Sequence, residues 1–475
     1  MNTSLHEQLL DFEKSNDLFS RTYCGENYWH ILRFSIGREI WTNQDKRFQP
    51  LSANQIINKS KSNIYKTYLW YFSCTIREVF APRLRPADIL ANDWNAYKDI
   101  DGIETDIFID PLRESFDILS IYHDLKQKSH TTRKYPDTAQ GMLRFNIINA
   151  FSKRFKTHID LEENRFLLLL EEKIYQEFGV RIKDLAKRAR WHAVFVKSFS
   201  KYARKLLEAV KPKAILWLNH YTTSMFVITK EAKNMGIPVI ELQHGEIGLT
   251  HLAYNFTDTI GSAKYFPDYI LTFGDYWIVN MRLPKGSIAV PVGSVYAEAR
   301  IKKLAYIKRQ EKLIVFYSNF NKAIIDVLMD LIGLAKENNY NLVCKLHPRE
   351  YENWKTLYPE LEQSGVEVID YSMDIYELFL SGKHHVCGGS TTAFEAVATG
   401  GVVHLDISAQ DICGDLTELG VAQAFSSADE LMCNILELDS NSVRSYNNNV
   451  ANSFFESNAL ENQINAIKNI IEQIG

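Results

Sequence analysis

The sequence predicts an α/β protein in which two Rossmann-like, doubly wound parallel-sheet domains face a cleft, with helical additions at the N-terminus. Three observations lead there. At 475 residues the chain is too long for one ordinary core, so two domains are expected. From about residue 210 onward, short β-branched runs alternate with helix-length amphipathic runs, the pattern of right-handed βαβ crossovers. The alternation breaks at a charged linker, 300–312, and then restarts, which divides the strands into two sets.

Residues 1–85 read as largely helical. Within them, NKSKSNIYKTYLWYFSCTIREVFAPRLRP (58–86) mixes Lys59, Lys61, Lys66, Arg77, Arg83 and Arg85 with Tyr65, Tyr68, Trp70, Tyr71 and Phe72. Such a segment suits either a helix packing its rings inward or one lying on an anionic bilayer surface. A second basic helix is expected over 181–209, where Leu185, Trp191, Val194, Phe195, Phe199, Tyr202 and Leu206 recur at helical spacing. Then AILWLNH (214–220) predicts a strand, 223–236 a helix ending at Gly236, and IPVIELQ (237–243) and FPDYILTFG (266–274) two more strands. DYWIVNM (275–281) reads as helical, and SIAVPVGS (287–294) follows it. Beyond the linker, KLIVFYS, YNLVCKLHP, VEVID, HHVCGG and GVVHLDIS predict strands, and 322–339 and STTAFEAVATG (390–400) helices. The expected division is 1–300, 305–450 and a terminal helix in 451–475 packing back on the first domain. Two such sheets meeting at a cleft make the GT-B arrangement the expectation.

Composition excludes several classes. Hydrophobic content of 46% and charged content of 24% are those of a globular protein. A formal net charge of −4 provides no global field for nucleic acid. Six cysteines without a C-x-x-C pair suggest neither a disulfide framework nor zinc, and fit reduced thiols and a cytoplasmic home. The polar N-terminus lacks a signal-peptide core, and no apolar run approaches the ~18 residues of a membrane span. Peripheral contact with the inner face of a membrane stays open.

The chemistry-bearing residues sit where strands end. IPVIELQ runs into Gln243-His244-Gly245-Glu246, at the edge where open α/β sheets place ligands. Leu342-Val343-Cys344 runs into Lys345, His347, Pro348 and Arg349, an imidazole and two cations suited to a phosphate. VCGGSTTAFEAVATGG places Gly389 beside Ser390, Thr391 and Thr392, whose hydroxyls can cap a helix with its N–H groups aimed into the cleft. Glu395, one turn further, can accept from ribose hydroxyls. The run is neither a Walker A loop nor a G-x-G-x-x-G fingerprint. Asp99 and Asp101 have D-x-D spacing, but KDIDGIETD reads as a solvated turn, so no metal is expected. The acidic segment 92–110, with Asp93, Asp99, Asp101, Asp106 and Asp110, offers an alternative general base on the acceptor side.

On the residues Gln243-His244-Gly245, Lys345-Leu346-His347-Pro348 and Gly388-Gly389-Ser390-Thr391-Thr392, region 210–410 resembles bacterial GT-B enzymes of surface-polysaccharide assembly. The likeness is to the capsule-synthesis and Kdo-transferase group, with a looser one to teichoic-acid glycerophosphotransferases. FEAVATGGVV also resembles an E-A-x-A-x-G-x-P-V element of nucleotide-sugar glycosyltransferases, with Val402 where proline is usual. The first 200 residues carry no such likeness. The resemblance implies transfer of a sugar from a CMP- or UDP-linked donor to a lipid-linked or oligosaccharide acceptor, in capsule or lipopolysaccharide O-antigen, with no resident cofactor. It implies that Lys345, His347 and the Ser390–Thr392 turn hold the donor phosphate, Glu395 the ribose, and His244 or Glu246 the acceptor proton. A CDP-polyol phosphotransferase, a nucleotide-sugar epimerase and a non-catalytic assembly scaffold are the alternatives.

Overall fold

The computed structural model describes residues 4–44, 84–93, 96–100, 102–122, 132–135, 160–248, 250–257, 263–318, 322–407, 413, 415–440 and 448–473. Two six-stranded parallel sheets dominate it. The first contains β1 (Ile89–Asp93), β2 (Ile118–Tyr122), β3 (Ala214–Trp217), β4 (Val239–Leu242), β5 (Tyr269–Thr272) and β6 (Ile288–Pro291). Their spatial order is β6-β5-β4-β3-β1-β2, every pairing parallel. The second contains β7 (Gln310–Tyr317), β8 (Asn341–Lys345), β9 (Glu367–Ile369), β10 (Gly382–Cys387), β11 (Val402–Asp406) and β12 (Ala422–Phe425), in the order β9-β8-β7-β10-β11-β12, again all parallel. Both are doubly wound, and together they form the expected GT-B fold.

Strand order locates the crevices. In the first sheet the chain reverses direction between β1 and β3, in the second between β7 and β10. Ligand crevices of open α/β sheets lie at such switch points, outside the carboxyl ends of the strands. Ser318 follows β7 and the Gly388–Ser390 turn follows β10, while Asn219 and His220 follow β3.

The central strands form because their runs are mostly apolar. All four residues of β3 and of β4 are buried, as the middle of a parallel sheet requires. Helix Leu185–Val210 covers one face with Phe195, Phe199, Leu206 and Leu207. The opposite face of the first sheet receives Ile467 and Ile470 of the last helix, Ala459–Glu472, which packs on Ile89, Leu216 and Ile240. The chain reaches it by crossing back over both domains. Trp277 Nε1 donates to Phe454 O at 3.0 Å, and Glu298 accepts from the backbone N–H groups of Asn458 and Ala459. Gly274 and Gly293 permit this crossing, since a Cβ on either would stand 2.2 and 2.3 Å from backbone oxygens of Ser453 and Glu456.

Several sequence expectations change. AILWLNH stops being strand at Trp217, because the Leu218 N–H leaves the ladder to donate to Asn92 Oδ1 at 2.8 Å. KDIDGIETD is not a bare solvated turn: Tyr97–Ile100 and Ile103–Asp106 pair as an antiparallel hairpin, with Gly102 at φ +80° in its tip. The strand expected from HHVCGG begins earlier, at Gly382, so His384 and His385 lie in its middle, fully buried. His384 shares 3.1 Å contacts with His404 Nε2 and Asp439 Oδ1, and His385 Nδ1 lies 3.1 Å from the Tyr317 hydroxyl. β1 and β2 were not anticipated at all. Of the basic aromatic segment, 58–83 lies outside the described residues.

Candidate functional site

The wall on the first domain is the loop after β4. Gln243 is buried and both ends of its amide are engaged: Nε2 donates to Gly245 O at 2.9 Å and Oε1 accepts from Phe273 N at 2.7 Å. It thereby ties the exit of β4 to that of β5. Gly245 has open space where a Cβ would stand. Glu246 is half-buried, and its carboxylate folds back to accept from Gly248 N–H. Burial, with some repulsion from Asp415, pushes Glu246 up to about 7 despite that hydrogen bond. His244 is half-buried beside it, with its Nε2 3.5 Å from the Tyr221 hydroxyl. Burial holds its imidazole below the ordinary histidine range, with Glu241 opposing the shift and His220 adding to it.

Beneath this loop the N-terminal helices act as a brace. Arg33, on helix Trp29–Gln44, forms a buried ion pair with Glu13 of helix Leu5–Ser15, Nε to Oε1 at 2.8 Å. Its remaining donors reach the carbonyls of Leu252 and Asn255. Asn255 in turn donates to Gly248 O at 2.8 Å. A buried arginine thus holds the far end of the segment that begins at His244.

The opposite wall is built from β7, β8 and β10 of the second domain. Ser390 is the N-cap of helix Thr391–Ala398, its Oγ accepting from Thr392 N at 3.3 Å. Gly389, Ser390, Thr391 and Thr392 are all half-buried, at the mouth of the β7/β10 switch point. Glu395 accepts from the Tyr376 hydroxyl, and burial pushes it up to about 7, with Lys98 opposing. Lys345 is buried and donates to the carbonyls of Asp370 and Met373, so its ammonium anchors the loop after β9. Burial first, then Lys98, pushes it down to about 8. The His347 N–H donates to Ser318 Oγ at 2.8 Å and to Glu350, while Pro348 and Arg349 are exposed.

Cys413 connects the surroundings of Glu246 with the Ser390 turn. Cys413 Sγ donates to Ser390 O at 3.8 Å, and the Glu246 carboxylate acts on the same thiol. Asp415, two residues on, accepts from Tyr276 of the first domain, and burial pushes it up to about 6. Phe394 of the capped helix packs on Trp277 and Tyr276, ring centroids 4.7 and 5.3 Å apart, so the two walls are in direct contact. His347 stands elsewhere on its wall. It follows β8, and β7 separates it from the Ser390 turn, which places it about two strand spacings, ~10 Å, along the edge.

The acidic segment divides. Asp106 accepts from Phe108 N and Ile109 N, and Asp110 from Asp106 N and from Arg113, so both carboxylates shape their own turn. Asp99 stands opposite Glu104 in the hairpin, and Asp101 lies outside the described residues. The charge that this hairpin brings to the second domain is Lys98, which acts on both Lys345 and Glu395. Among the described residues, no group of three or more His, Cys, Asp or Glu is placed to hold a metal ion, and no helix is long and apolar enough to cross a membrane.

Sequence reasoning missed Lys98, Asp415 and the His220–Glu241 pair. His220 has a signal, since it follows an apolar run as His244 does, but the unbroken AILWLNH pattern places it inside a strand. Lys98 and Asp415 had none, because only the domain arrangement brings them to the cleft.

No protein-family model matches the chain, and no curated protein matches it. Among solved structures, the chain is similar to UDP-GlcNAc 2-epimerase of Methanocaldococcus jannaschii in complex with UDP-GlcNAc and UDP, at 12% identity and a TM-score of 0.46, covering 80% of this chain and 98% of that one. It is also similar to UDP-GlcNAc 2-epimerase of Neisseria meningitidis bound to UDP-GlcNAc, at 14% identity and a TM-score of 0.41, covering 81% and 98%. A third is Phytolacca americana UGT2 complexed with UDP-2fluoro-glucose and pterostilbene, at 10% identity and a TM-score of 0.43, covering 81% and 99%. Similarity at this level assigns no activity.

Proposed function

We propose that the protein is a glycosyltransferase that moves a sugar from a nucleotide-activated donor to a growing bacterial surface polysaccharide, capsule or O-antigen. One observation carries the reading. Glu246, a carboxyl held near neutrality in the loop after β4, acts on the Cys413 thiol, which donates to the carbonyl of Ser390, the N-cap of helix Thr391–Ala398. The motif resemblance supports the polysaccharide assignment.

In this reading the donor lies in the β7/β10 crevice. N–H groups at the start of helix Thr391–Ala398 and the hydroxyls of Ser390, Thr391 and Thr392 meet its phosphate, with His347 further along the edge. Glu395 accepts from the ribose. Glu246 takes the proton of the acceptor hydroxyl as its oxygen bonds to the anomeric carbon. The bond from that carbon to the phosphate oxygen breaks, and the departing charge falls on the helix N–H groups. A base with a pKa near 7 is matched to this work at neutral pH. His244, held neutral, hydrogen-bonds the transferred sugar.

Calorimetric titration with CMP-, UDP-, GDP- and dTDP-sugars tests the donor site, and product mass tests the reaction. One donor binds with micromolar affinity and His347→Ala weakens it about tenfold, a loss of ~1.4 kcal/mol. Failure of every donor to bind refutes the proposal. A phosphorus-containing unit in the product identifies a polyol phosphotransferase instead. A second reading has its own observation: Glu246 and Asp415, from opposite domains, are both raised to near neutrality. Such a pair can remove a proton from the donor and return it, as an epimerase must. Turnover of donor without acceptor selects that reading.

A further inference from the structure

The first sheet hides a charged network directly under the His244 loop. Glu241 lies in β4 with no exposed surface, between Ile240 and Leu242. A carboxylate in the middle of a buried strand is costly unless it is hydrogen-bonded on both oxygens. Here both are engaged. His220 Nδ1 stands 2.5 Å from Oε2, and the Tyr254 hydroxyl donates to Oε1 at 2.6 Å. His220 and Tyr254 are themselves buried. The His220 ring packs edge-on against Phe266 and Tyr254, with centroids 4.6 and 5.4 Å away. Hydrophobic residues would serve the sheet better at these three positions. Replacing a buried polar cluster by apolar side chains of like volume is often neutral or stabilising.

The network points toward the site. His220 ends the β3 exit, Glu241 is three residues before His244, and Tyr254 closes the segment that starts there. Tyr221, next to His220, carries a hydroxyl 3.5 Å from His244 Nε2. We infer that Glu241 is a positioning residue of the site: it fixes His220 with its Nδ1 proton inward and provides the buried counter-charge that acts on His244 from below. This rests on the assignment of the His244 loop to the reaction.

The other charged or titratable groups around the pair are distinct from it. His251 stacks on Phe34 and lies tilted against Tyr221, and burial keeps it down at about 3. His30 and Arg33 face His220 from helix Trp29–Gln44, and burial keeps His30 at about 3. Glu246 shares the loop with His244, and Asp415 faces Glu246 from the second domain. Of these, Glu241 supplies the negative charge that opposes the desolvation of His244, while His220 works against it.

The test reads the imidazole itself, so it needs no substrate. Histidine ring resonances of the full chain are followed by NMR from pH 4 to 9, with His244→Asn used for assignment. Glu241→Gln keeps the shape, removes the charge, and lowers the His244 titration midpoint by about one pH unit. Tyr254→Phe removes one hydrogen bond but leaves the charge, and moves the His244 midpoint by less than a third as much. If Glu241→Gln leaves His244 unmoved, or Tyr254→Phe moves it equally, the inference is overturned. Should Glu241→Gln fail to fold, His220→Gln takes its place. It removes the neighbouring imidazole that works against His244, so the midpoint must rise, and a fall overturns the inference. A protein without transferase activity that still shows these shifts refutes the proposed reaction and leaves the network standing.

Discussion

Replacing Glu246 by glutamine separates what that carboxyl does for the fold from what it does for the reaction. Burial raises its pKa from 4.5 to about 7, so the folded chain holds a proton that the unfolded chain has released. Between those limits the native state binds more protons, and stability falls as pH rises. The full cost, reached above pH 7, corresponds to about 3 kcal/mol at ~1.4 kcal/mol per pH unit. Glu246 is only half-buried, and screening by water reduces this to about 1–2 kcal/mol. Glutamine fills the same volume, still accepts from Gly248 N–H, and carries no charge at any pH. Glu246→Gln is therefore expected to match the wild type within ~0.5 kcal/mol at pH 5 and to exceed it by about 1–2 kcal/mol at pH 8. Urea denaturation at the two pH values measures this. Transfer activity should fall by about 10²–10⁴-fold, the range of a lost general base. A stability difference that is the same at both pH values, or a variant weaker than wild type at pH 8, would show that Glu246 is not a desolvated carboxyl and would remove the argument for it as the base.

Three further perturbations probe the frame around it. Gly248→Ala places a Cβ 2.5 Å from Glu246 Oε1 and drives the carboxylate off the Gly248 N–H; the acid limb of the pH–rate profile should move to higher pH, with the melting temperature nearly unchanged. Ser390→Ala removes the helix cap, costing about 1 kcal/mol in thermal unfolding and weakening donor binding, while Ser390→Thr restores most of both. Glu13→Gln leaves Arg33 buried without its partner, about 3–5 kcal/mol, and should expose the segment after His244 to limited proteolysis ahead of the second domain.

The fold was legible where strands are predominantly apolar runs. AILW, VIEL, YILT and LIVFY announce themselves because the middle of a doubly covered sheet admits little else. β1 and β2 stayed hidden, since ILAND and ILSIY are short and sit among aspartates that resemble turn residues. The end of β3 is misplaced for another reason: Asn219 and His220 follow an apolar run without a break, and the ladder ends there because Asn92, 126 residues earlier, captures the Leu218 N–H. Nothing local records that bond. Gln243 illustrates the converse. Its type and position were legible, yet an amide beside a glycine can serve a ligand or the backbone, and only the distance to Phe273 N decides for the backbone.

The same limit explains why the cleft chemistry could be read by residue type but not by strength. Glu246 in an isolated loop would be an ordinary surface carboxylate. Its raised proton affinity comes from surroundings that include Asp415, which belongs to the other sheet and is held by Tyr276 across the domain junction. Separating the domains would admit water, remove Asp415 and return Glu246 toward 4.5, so closure and protonation are linked: closing near neutral pH favours proton uptake. A base that gains proton affinity as the walls meet is weak while the cleft is open to water. In the proposed reaction only the Glu246 that stays ionised after closure can take the acceptor proton, and a pKa of about 7 leaves roughly half of it so at neutral pH.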